Sequence, residues 1–263
     1  MRLRIYQIDA FASRVFRGNP AAVVPLPEWL GDAQLQSIAA ENNLSETAFF
    51  VPQDEHFHLR WFTPTQEVRL CGHATLAAAS VVFSVLETSS TDVKFETLSG
   101  ILNVQKRAGN LLTMDFPKLI PKTCEPPVPL LEGLRRKPVE VLATDTDTNY
   151  YAVYENEAAV RAIGPNLSLL ANLHPYGVVV TAVGEEADFV SRYFASGYGI
   201  PEDPVTGSIH CALTPYWSQR LGKPVLHARQ VSKRGGELEC EDLPGRVLIS
   251  GQAVRYLEGE IYI

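Results

Sequence analysis

The amino-acid sequence repeats itself in two halves. The step Gly72-His73 opens a long apolar segment, and Gly207-Ser208 opens a second one 135 positions later. Downstream, SGILNV is followed 136 positions later by GGELEC, aligned on a glycine, and GNLLTM is followed by GRVLIS at the same distance. Matches in one order at nearly one offset predict an internal duplication, with two similar domains in one chain.

A proline-rich segment separates the two halves. Between Pro117 and Pro129 the sequence PKLIPKTCEPPVP has five prolines, which interrupt regular secondary structure. We therefore expect an N-terminal domain over residues 1–118 and a C-terminal domain over 130–263. The last strand, in AVRYLEGEIYI, is free to return to the N-terminal domain.

The hydrophobic pattern predicts the same elements in each half. AAVVPL, a helical stretch over Asp32–Asn43 and TAFFV are matched by YYAVY, a helical stretch over Asn156–Leu170 and YGVVVTAV. The strands are short, mostly alternating and joined by glycine turns, which is typical of antiparallel sheets. We expect an α+β fold of two pseudo-symmetric domains, each a curved, mostly antiparallel sheet wrapped around a central helix. Pro215 should make the second central helix shorter or bent.

Composition and charge exclude several classes of protein. The 23 basic and 30 acidic residues give a net charge of −7, which argues against non-specific nucleic-acid binding. The longest apolar stretch, Ala74–Leu86, is shorter than the roughly 20 residues that a membrane helix needs. Apolar and polar residues alternate at the start of the sequence, as in a strand and unlike the long apolar core of a signal peptide. The four cysteines show no paired spacing, which argues against a disulfide-bonded framework. We expect a cytoplasmic protein with no membrane or nucleic-acid partner.

The two glycine steps indicate a site for an anion. At a helix start they offer unpaired backbone N–H groups and the positive end of the helix dipole, and glycine lets a ligand approach closely. Two such ends facing one cleft between the domains would hold a carboxylate or a developing enolate. The alternative is that Gly72, Gly207 and Ser208 are ordinary capping residues.

Three further side chains each allow a structural and a functional interpretation. His73 is either a core histidine bonded to the backbone or a group that exchanges protons in the cleft. Asp203, in PEDPVTG, is either a turn residue or a partner that orients a neighbour across the cleft. Glu46 begins an otherwise apolar strand, so its carboxylate lies either at the sheet rim in water or inside the cleft, where it can carry a proton.

Four segments together resemble one known family. FRGNPAAVV, LSETAFF, FTPTQEVRLCGHATLAAA and GIPEDPVTGSIHCALTPYW are similar, in order and spacing, to the signature segments of the PhzF, or phenazine-biosynthesis-like, isomerases. The resemblance runs from the N-terminus to about Gly251. It implies the diaminopimelate-epimerase-like fold, a homodimer, and an isomerase that uses neither cofactor nor metal. The founding activity moves a proton within a dihydro-hydroxyanthranilate ring.

The resemblance also assigns roles to residues of this chain. It implies that Glu46 is the proton shuttle and that His73, Asp203 and Ser208 complete the catalytic set. The substrate, a small carboxylic acid, would be bound by a wider group that shares members with this set. That group comprises Asn19, Gly72, His73, Gly207 and Ser208.

Three other functions stay open from the sequence. A two-base epimerase would place a thiol at each helix start, and Cys71 stands in the first position, but Thr206, or Pro204 by the motif, stands in the second. A metal site could draw on Cys71, His73, His210 and Cys211, although adjacent His210 and Cys211 would point in different directions on a helix. The third alternative is a binding protein without catalysis.

Overall fold

The computed structural model describes residues 1–86 and 90–263. The chain divides into two compact units. The first unit combines Met1–Asp115 with Ser250–Ile263, and the second unit is Phe116–Ile249. Within the described residues, no helix is both long and apolar enough to cross a membrane.

The described chain contains strands and helices in the following order. The strands are β1 (Arg2–Ala10), β2 (Asn19–Pro25), β3 (Glu46–Gln53), β4 (His56–Phe62), β5 (Glu67–Val68), β6 (Asp92–Thr97), β7 (Gly100–Lys106), β8 (Leu112–Pro117), β9 (Lys122–Thr123), β10 (Glu140–Ala143), β11 (Asn149–Val153), β12 (Gly177–Val183), β13 (Phe189–Ala195), β14 (Ile200–Asp203), β15 (Val225–Gln230), β16 (Gly236–Leu243), β17 (Arg246–Gly251) and β18 (Ala253–Tyr262). The helices are α1 (Asp32–Asn42), α2 (Gly72–Val85), α3 (Val128–Leu134), α4 (Glu157–Arg161), α5 (Leu167–Ala171) and α6 (His210–Leu221). Two short 3₁₀ turns cover Ala108–Asn110 and Ser196–Tyr198.

The two units repeat one pattern of strand pairing. In the first unit, β1–β2 is antiparallel, β2–β3 parallel, β3–β4 and β4–β5 antiparallel, β4–β6 parallel and β6–β7 antiparallel. In the second unit, β10–β11, β11–β12, β12–β13, β13–β14, β13–β15 and β15–β16 follow the same sequence of directions. The predicted α+β fold of two similar, mostly antiparallel sheets is therefore confirmed, and among these pairings of the described residues two in each unit are parallel.

The repetition extends to an ion pair in each unit. Arg60 on β4 makes two hydrogen bonds of 2.7 Å to the carboxylate of Glu67 on β5. Arg192 on β13 binds Glu202 on β14 in the same way, at 2.7 and 3.1 Å. Each guanidinium lies over the ring of the phenylalanine two residues later, 5.1 and 4.9 Å from its centroid. Bidentate pairs of this kind lock the strand that carries the arginine to its neighbour.

The central helix of the first unit is buried along most of its length. α2 packs against β1, β2, β3, β7 and β18, and all its residues from His73 to Ala79 are buried. An apolar helix enclosed by strands is the arrangement that its sequence predicts. Four of these seven residues are alanines, whose small side chains allow close approach to the strands.

The corresponding helix of the second unit differs from the prediction at its start. α6 packs against β15 and β16 and has 12 residues, two fewer than α2. It begins at His210, whereas we expected a start near Ser208. The amides of His210 and Cys211 donate to the carbonyls of Gly207 and Ser208, so residues 207–209 form a tight turn that leads into the helix.

One predicted helix is wrong. Instead of one helix over Asn156–Leu170, the structure has the short helices α4 and α5, because Gly164-Pro165 interrupts the run. Each short helix begins after an asparagine cap. The Asn156 side chain accepts a hydrogen bond from a backbone amide at 2.8 Å, and Asn166 does the same at 3.4 Å.

The end of the chain pairs with its beginning. β18 runs antiparallel along all of β1, from Arg2 opposite Tyr262 to Ala10 opposite Ala253, and so belongs to the first unit. In the second unit, β9 lies in the predicted linker and pairs with β10. The boundaries of the compact units therefore lie at Asp115 and Ile249. Pairing with β1 places β18 in the first unit, and pairing with β10 places β9 in the second unit. As bounds of the duplicated domains, 1–118 and 130–263 stay a prediction.

Candidate active site

Three element starts bring part of the predicted site together in the first unit. Asn19 is the first residue of β2, and Glu46 is the first residue of the parallel strand β3, opposite Ala21. Gly72 and His73 form the first turn of α2, which packs on both strands. Parallel strands begin at the same edge of a sheet, so these side chains meet at one end of the unit.

The imidazole of His73 is held between an amide and a carboxylate. Its Nδ1 lies 3.2 Å from the Asn19 Nδ2, and the Asn19 Oδ1 accepts a hydrogen bond from Ser45 at 3.4 Å. The amide nitrogen is thus the donor, so Nδ1 is the acceptor and the ring proton sits on Nε2. Nε2 lies 3.2 Å from Oε2 of Glu46, but the two groups are not aligned for a hydrogen bond.

Burial keeps this imidazole neutral. The side chains of His73 and Glu46 are 7% and 13% exposed. Loss of hydration lowers the pKa of His73 from 6.5 to about 3. Glu46 is therefore an acid that lies mostly out of water against a neutral N–H group. A pair of this kind can accept a proton on the carboxylate while the imidazole fixes its orientation.

Cys71 belongs to the same cluster. It is buried, and its Sγ lies 3.5 Å from Nδ1 of His73. Its backbone carbonyl accepts hydrogen bonds from the amide and, at 2.6 Å, the hydroxyl of Thr75, which fixes the first turn of α2.

The cluster also has the donor types of a metal site. One ligand atom each from Glu46, Cys71 and His73 lies within 4.8 Å of the others, and zinc accepts oxygen, sulfur and nitrogen ligands. Neither His210 nor Cys211 joins such a group among the described residues. The absence of a metal and of a cofactor stays a prediction.

The second unit holds Asp203 in a hydrogen-bonded turn. Asp203 is the buried last residue of β14, and the Thr206 hydroxyl donates to its Oδ2. Gln230, fully buried at the end of β15, donates from Nε2 to the Asp203 carbonyl at 2.8 Å and accepts from the Thr206 amide at 2.9 Å. Sequence analysis missed Gln230. Its signal is the alternation of VLHARQ, which places a glutamine on the same strand face as buried Leu226 and Ala228.

The remaining predicted residues follow directly in the chain. Gly207 is buried and Ser208 is exposed, both in the turn before α6. The ring of His210 donates from Nδ1 to the Thr206 carbonyl at 2.8 Å. Burial lowers the pKa of His210 to about 4, so this histidine is also neutral near pH 7.

The structure therefore gathers the predicted residues into two sets. One set in the first unit contains Asn19, Glu46, Gly72 and His73. The other, within six consecutive positions of the second unit, runs from Asp203 to Ser208 and includes Gly207. That the two sets act on one substrate stays a prediction.

Known proteins resemble the whole chain. The model of the phenazine biosynthesis-like protein family (PhzC-PhzF) matches residues 8–259. An uncharacterized isomerase of Pseudomonas aeruginosa is 50% identical over 263 residues, 100% of both chains. The crystal structure of a PhzF-family phenazine biosynthesis protein from Enterococcus faecalis has a TM-score of 0.96 and 44% identity, again over 100% of both chains.

A more distant structure shares the fold alone. A hydroxyproline epimerase from Agrobacterium vitis, with bound trans-4-hydroxy-L-proline, has a TM-score of 0.60 and 13% identity over 99% of this chain and 92% of its own. The names of the nearer relatives support an isomerase-type enzyme. The match over residues 8–259 and the identity of 50% show that the chain belongs to the phenazine biosynthesis-like (PhzC-PhzF) family.

Proposed function

We propose that this chain is an isomerase that moves a proton within a small cyclic or amino carboxylic acid without a cofactor. The observation that carries the proposal is the contact of 3.2 Å between the Glu46 carboxylate and the neutral, buried imidazole of His73. An acid held mostly out of water beside a fixed N–H group is suited to take up and return a proton. In this proposal the set in the second unit faces the same substrate across a cleft.

The proposed reaction begins with proton abstraction. Glu46 takes a proton from a carbon of the substrate that lies next to an unsaturated bond, and the C–H electron pair moves into the conjugated system. The backbone N–H groups at Gly72 and Gly207, with Ser208, bind the substrate carboxylate and the developing negative charge. Protonated Glu46 then delivers its proton to another carbon of the same face, and the double bond shifts.

His73 and Asp203 have supporting roles in this scheme. Asn19 occupies Nδ1 of neutral His73, so its Nε2–H is left on the side of the Glu46 carboxylate, 3.2 Å away, where a small rotation would let it donate to and orient that group. Asp203 accepts hydrogen bonds from hydroxyl or amino groups of the substrate. The reaction needs no redox change, since the proton leaves one carbon and returns to another.

The second candidate function is two-base epimerisation. One observation in the site favours it: the thiol of Cys71 lies 3.5 Å from Nδ1 of His73. The fold is also shared with the hydroxyproline epimerase. Against it, the position equivalent to Cys71 in the second half is Thr206, which has no group that exchanges protons near neutral pH. The third candidate is a binding protein without catalysis.

One experiment separates the three. The protein is incubated in D₂O with a panel of small cyclic and amino carboxylic acids that includes a dihydro-hydroxyanthranilate, and deuterium uptake is followed by mass spectrometry. We expect uptake with wild type and a loss of about 100- to 10,000-fold in Glu46→Gln, the range typical of a removed general base. Binding of the same compound should persist.

The controls decide between the alternatives. Glu96→Gln removes an exposed carboxylate on β6 and should leave the rate unchanged. Full uptake in Glu46→Gln, abolished by alkylation of Cys71, would establish the epimerase. No uptake by wild type with a compound that binds would favour the binding protein. Cytoplasmic location and a homodimer stay predictions.

A further inference from the structure

A buried amide on β15 organises the turn that carries Asp203. Gln230 is fully buried and makes three hydrogen bonds to this turn. Its Oε1 accepts from the backbone amide of Thr206 at 2.9 Å, and its Nε2 donates to the backbone carbonyl of Asp203 at 2.8 Å. A backbone N–H can only donate and a carbonyl can only accept, so the orientation of the amide is fixed by both contacts.

This orientation sets the direction of the next hydrogen bond. The Nε2 of Gln230 also lies 3.2 Å from the Thr206 Oγ1, which must accept there because an amide nitrogen has no lone pair to offer. The single hydroxyl hydrogen of Thr206 is then left for Oδ2 of Asp203, which it contacts. Donation therefore runs in one direction, from Gln230 through Thr206 to the carboxylate.

The first unit has no such arrangement at the corresponding place. Thr97 ends β6 as Gln230 ends β15, but its hydroxyl bonds to Gly100 within its own turn. The loop before α2 is held instead by exposed hydrogen bonds of Arg69. Its guanidinium donates to the carbonyl of Leu98, and its own carbonyl accepts from the hydroxyl of Ser99. The buried amide is thus specific to the unit that carries Asp203.

We propose that Gln230 and Thr206 are positioning residues that hold the Asp203 carboxylate in one orientation as a hydrogen-bond acceptor. The inference rests on the proposed function, in which Asp203 contacts the substrate. Neither residue touches the substrate itself. Their role is to keep the carboxylate where the substrate needs it, without rearrangement during the reaction.

The inference predicts a selective effect on turnover. With the dihydro-hydroxyanthranilate as substrate, Thr206→Val should lower kcat about 10- to 100-fold with little change in KM, because a misplaced group costs rate more than ground-state binding. Thr206→Ser keeps the hydroxyl and should recover most of that loss. Gln230→Met keeps the size of the side chain, removes its polar atoms and should resemble Thr206→Val. Gln105→Met, at an exposed position on β7, is the matched control.

Two further measurements need no substrate. Amide hydrogen exchange at Thr206 should become at least about tenfold faster in Gln230→Met, while the amides of α6 keep their protection. Crystal structures should show the Asp203 carboxylate rotated in Thr206→Val and in its original place in Thr206→Ser. Because Thr206→Val leaves the Gln230 contacts to the backbone intact, it serves where Gln230→Met fails to fold.

The outcomes separate this inference from the proposed function. If wild type does not turn over the compound, the proposed function fails for that substrate, and the exchange and crystallographic results decide the inference alone. Unchanged protection at Thr206 in Gln230→Met overturns it. So does a Thr206→Val protein with wild-type kcat or with its Asp203 carboxylate in place.

Discussion

The two units share their strand order and differ in the chemistry at their strand ends. In the first unit Trp61 lies opposite Val68, and in the second unit Tyr193 lies opposite Asp203 at the matching place. The arginine–glutamate pairs beside these positions are the same in both units. The two units thus share the residues that join these strands and differ at one position, which in the second unit belongs to the candidate site.

A second position shows the opposite exchange. β3 and β12 correspond through their pairing with β4 and β13, and this correspondence sets Glu46 at the position of Gly177. A Cβ atom on Gly177 would lie 2.3 Å from the Tyr193 hydroxyl and 2.7 Å from Oδ1 of Asn149. The acid thus belongs to one unit alone, and Tyr193 fills the space in the other. Of these two matched positions, one carries an acid only in the first unit and the other only in the second unit, which is the pattern that the proposed shuttle and partner require and symmetrical bases do not.

The largest test of this difference gives the second unit the residue of the first. Asp203→Val should lower deuterium exchange about 100-fold, because it removes the carboxylate that, in the proposed function, accepts hydrogen bonds from the substrate. Asp203→Asn keeps the shape of the side chain but removes its charge, and its rate of deuterium exchange should also fall. The control at the matching position of the first unit, Val68→Thr, should stay close to wild type. Equal losses at Val68 and Asp203 would mean that this position is structural in both units.

The glycine opposite Asn149 is the next place to test. Gly177→Ala should destabilise the protein by about 1–3 kcal/mol, because the added methyl group overlaps the Tyr193 ring and hydroxyl. Gly164→Ala adds the same methyl group where no atom beyond the adjoining residues lies within 4 Å, and is the matched control. Urea unfolding of both variants measures the difference. Equal stability would show that the space beside Gly177 is not filled.

The buried histidines predict how stability depends on pH. The pKa of His210 is about 4 in the folded protein and 6.5 when unfolded, so between these values the unfolded chain binds more protons. Stability from this group is complete above pH 6.5 and is lost as the pH falls toward 4. Between pH 7 and 5 the loss is about 2 kcal/mol.

Urea unfolding at both pH values checks this expectation. His210→Asn should lose about 2 kcal/mol less than wild type over the same interval, since the titrating group is absent. An identical change in wild type and variant would contradict the assignment of a neutral, buried imidazole. Because the pKa of His73 is lowered to about 3, activity should show no histidine titration near pH 6.5.

The sequence predicts the duplicated frame better than the contacts within the site. Glycine turns and alternating strands are local signals, so the repeated elements, the mostly antiparallel sheets and the start of α2 at Gly72-His73 could be predicted. The glycine–proline pair at 164–165 is a local signal as well, and it accounts for the break between α4 and α5. Gln230 could not be anticipated in its role, because its partners, Asp203 and Thr206, lie more than 20 positions away and meet it only through the pairing of β13 with β15.

The smallest expected effect concerns the arginines, the part of the two units that is most alike. Lysine cannot make the bidentate contact, so Arg60→Lys and Arg192→Lys should both destabilise the protein. Arg192 also donates to the carbonyls of Val160 and Ile163, at 3.2 and 2.8 Å, whereas the further partner of Arg60 is the exposed Asp32. Buried carbonyls that lose a donor cost more than an exposed carboxylate, so Arg192→Lys should be worse by about 1 kcal/mol. Equal free energies of unfolding would mean that the two units are the same in energy as well as in geometry, and that the asymmetry is confined to the candidate site.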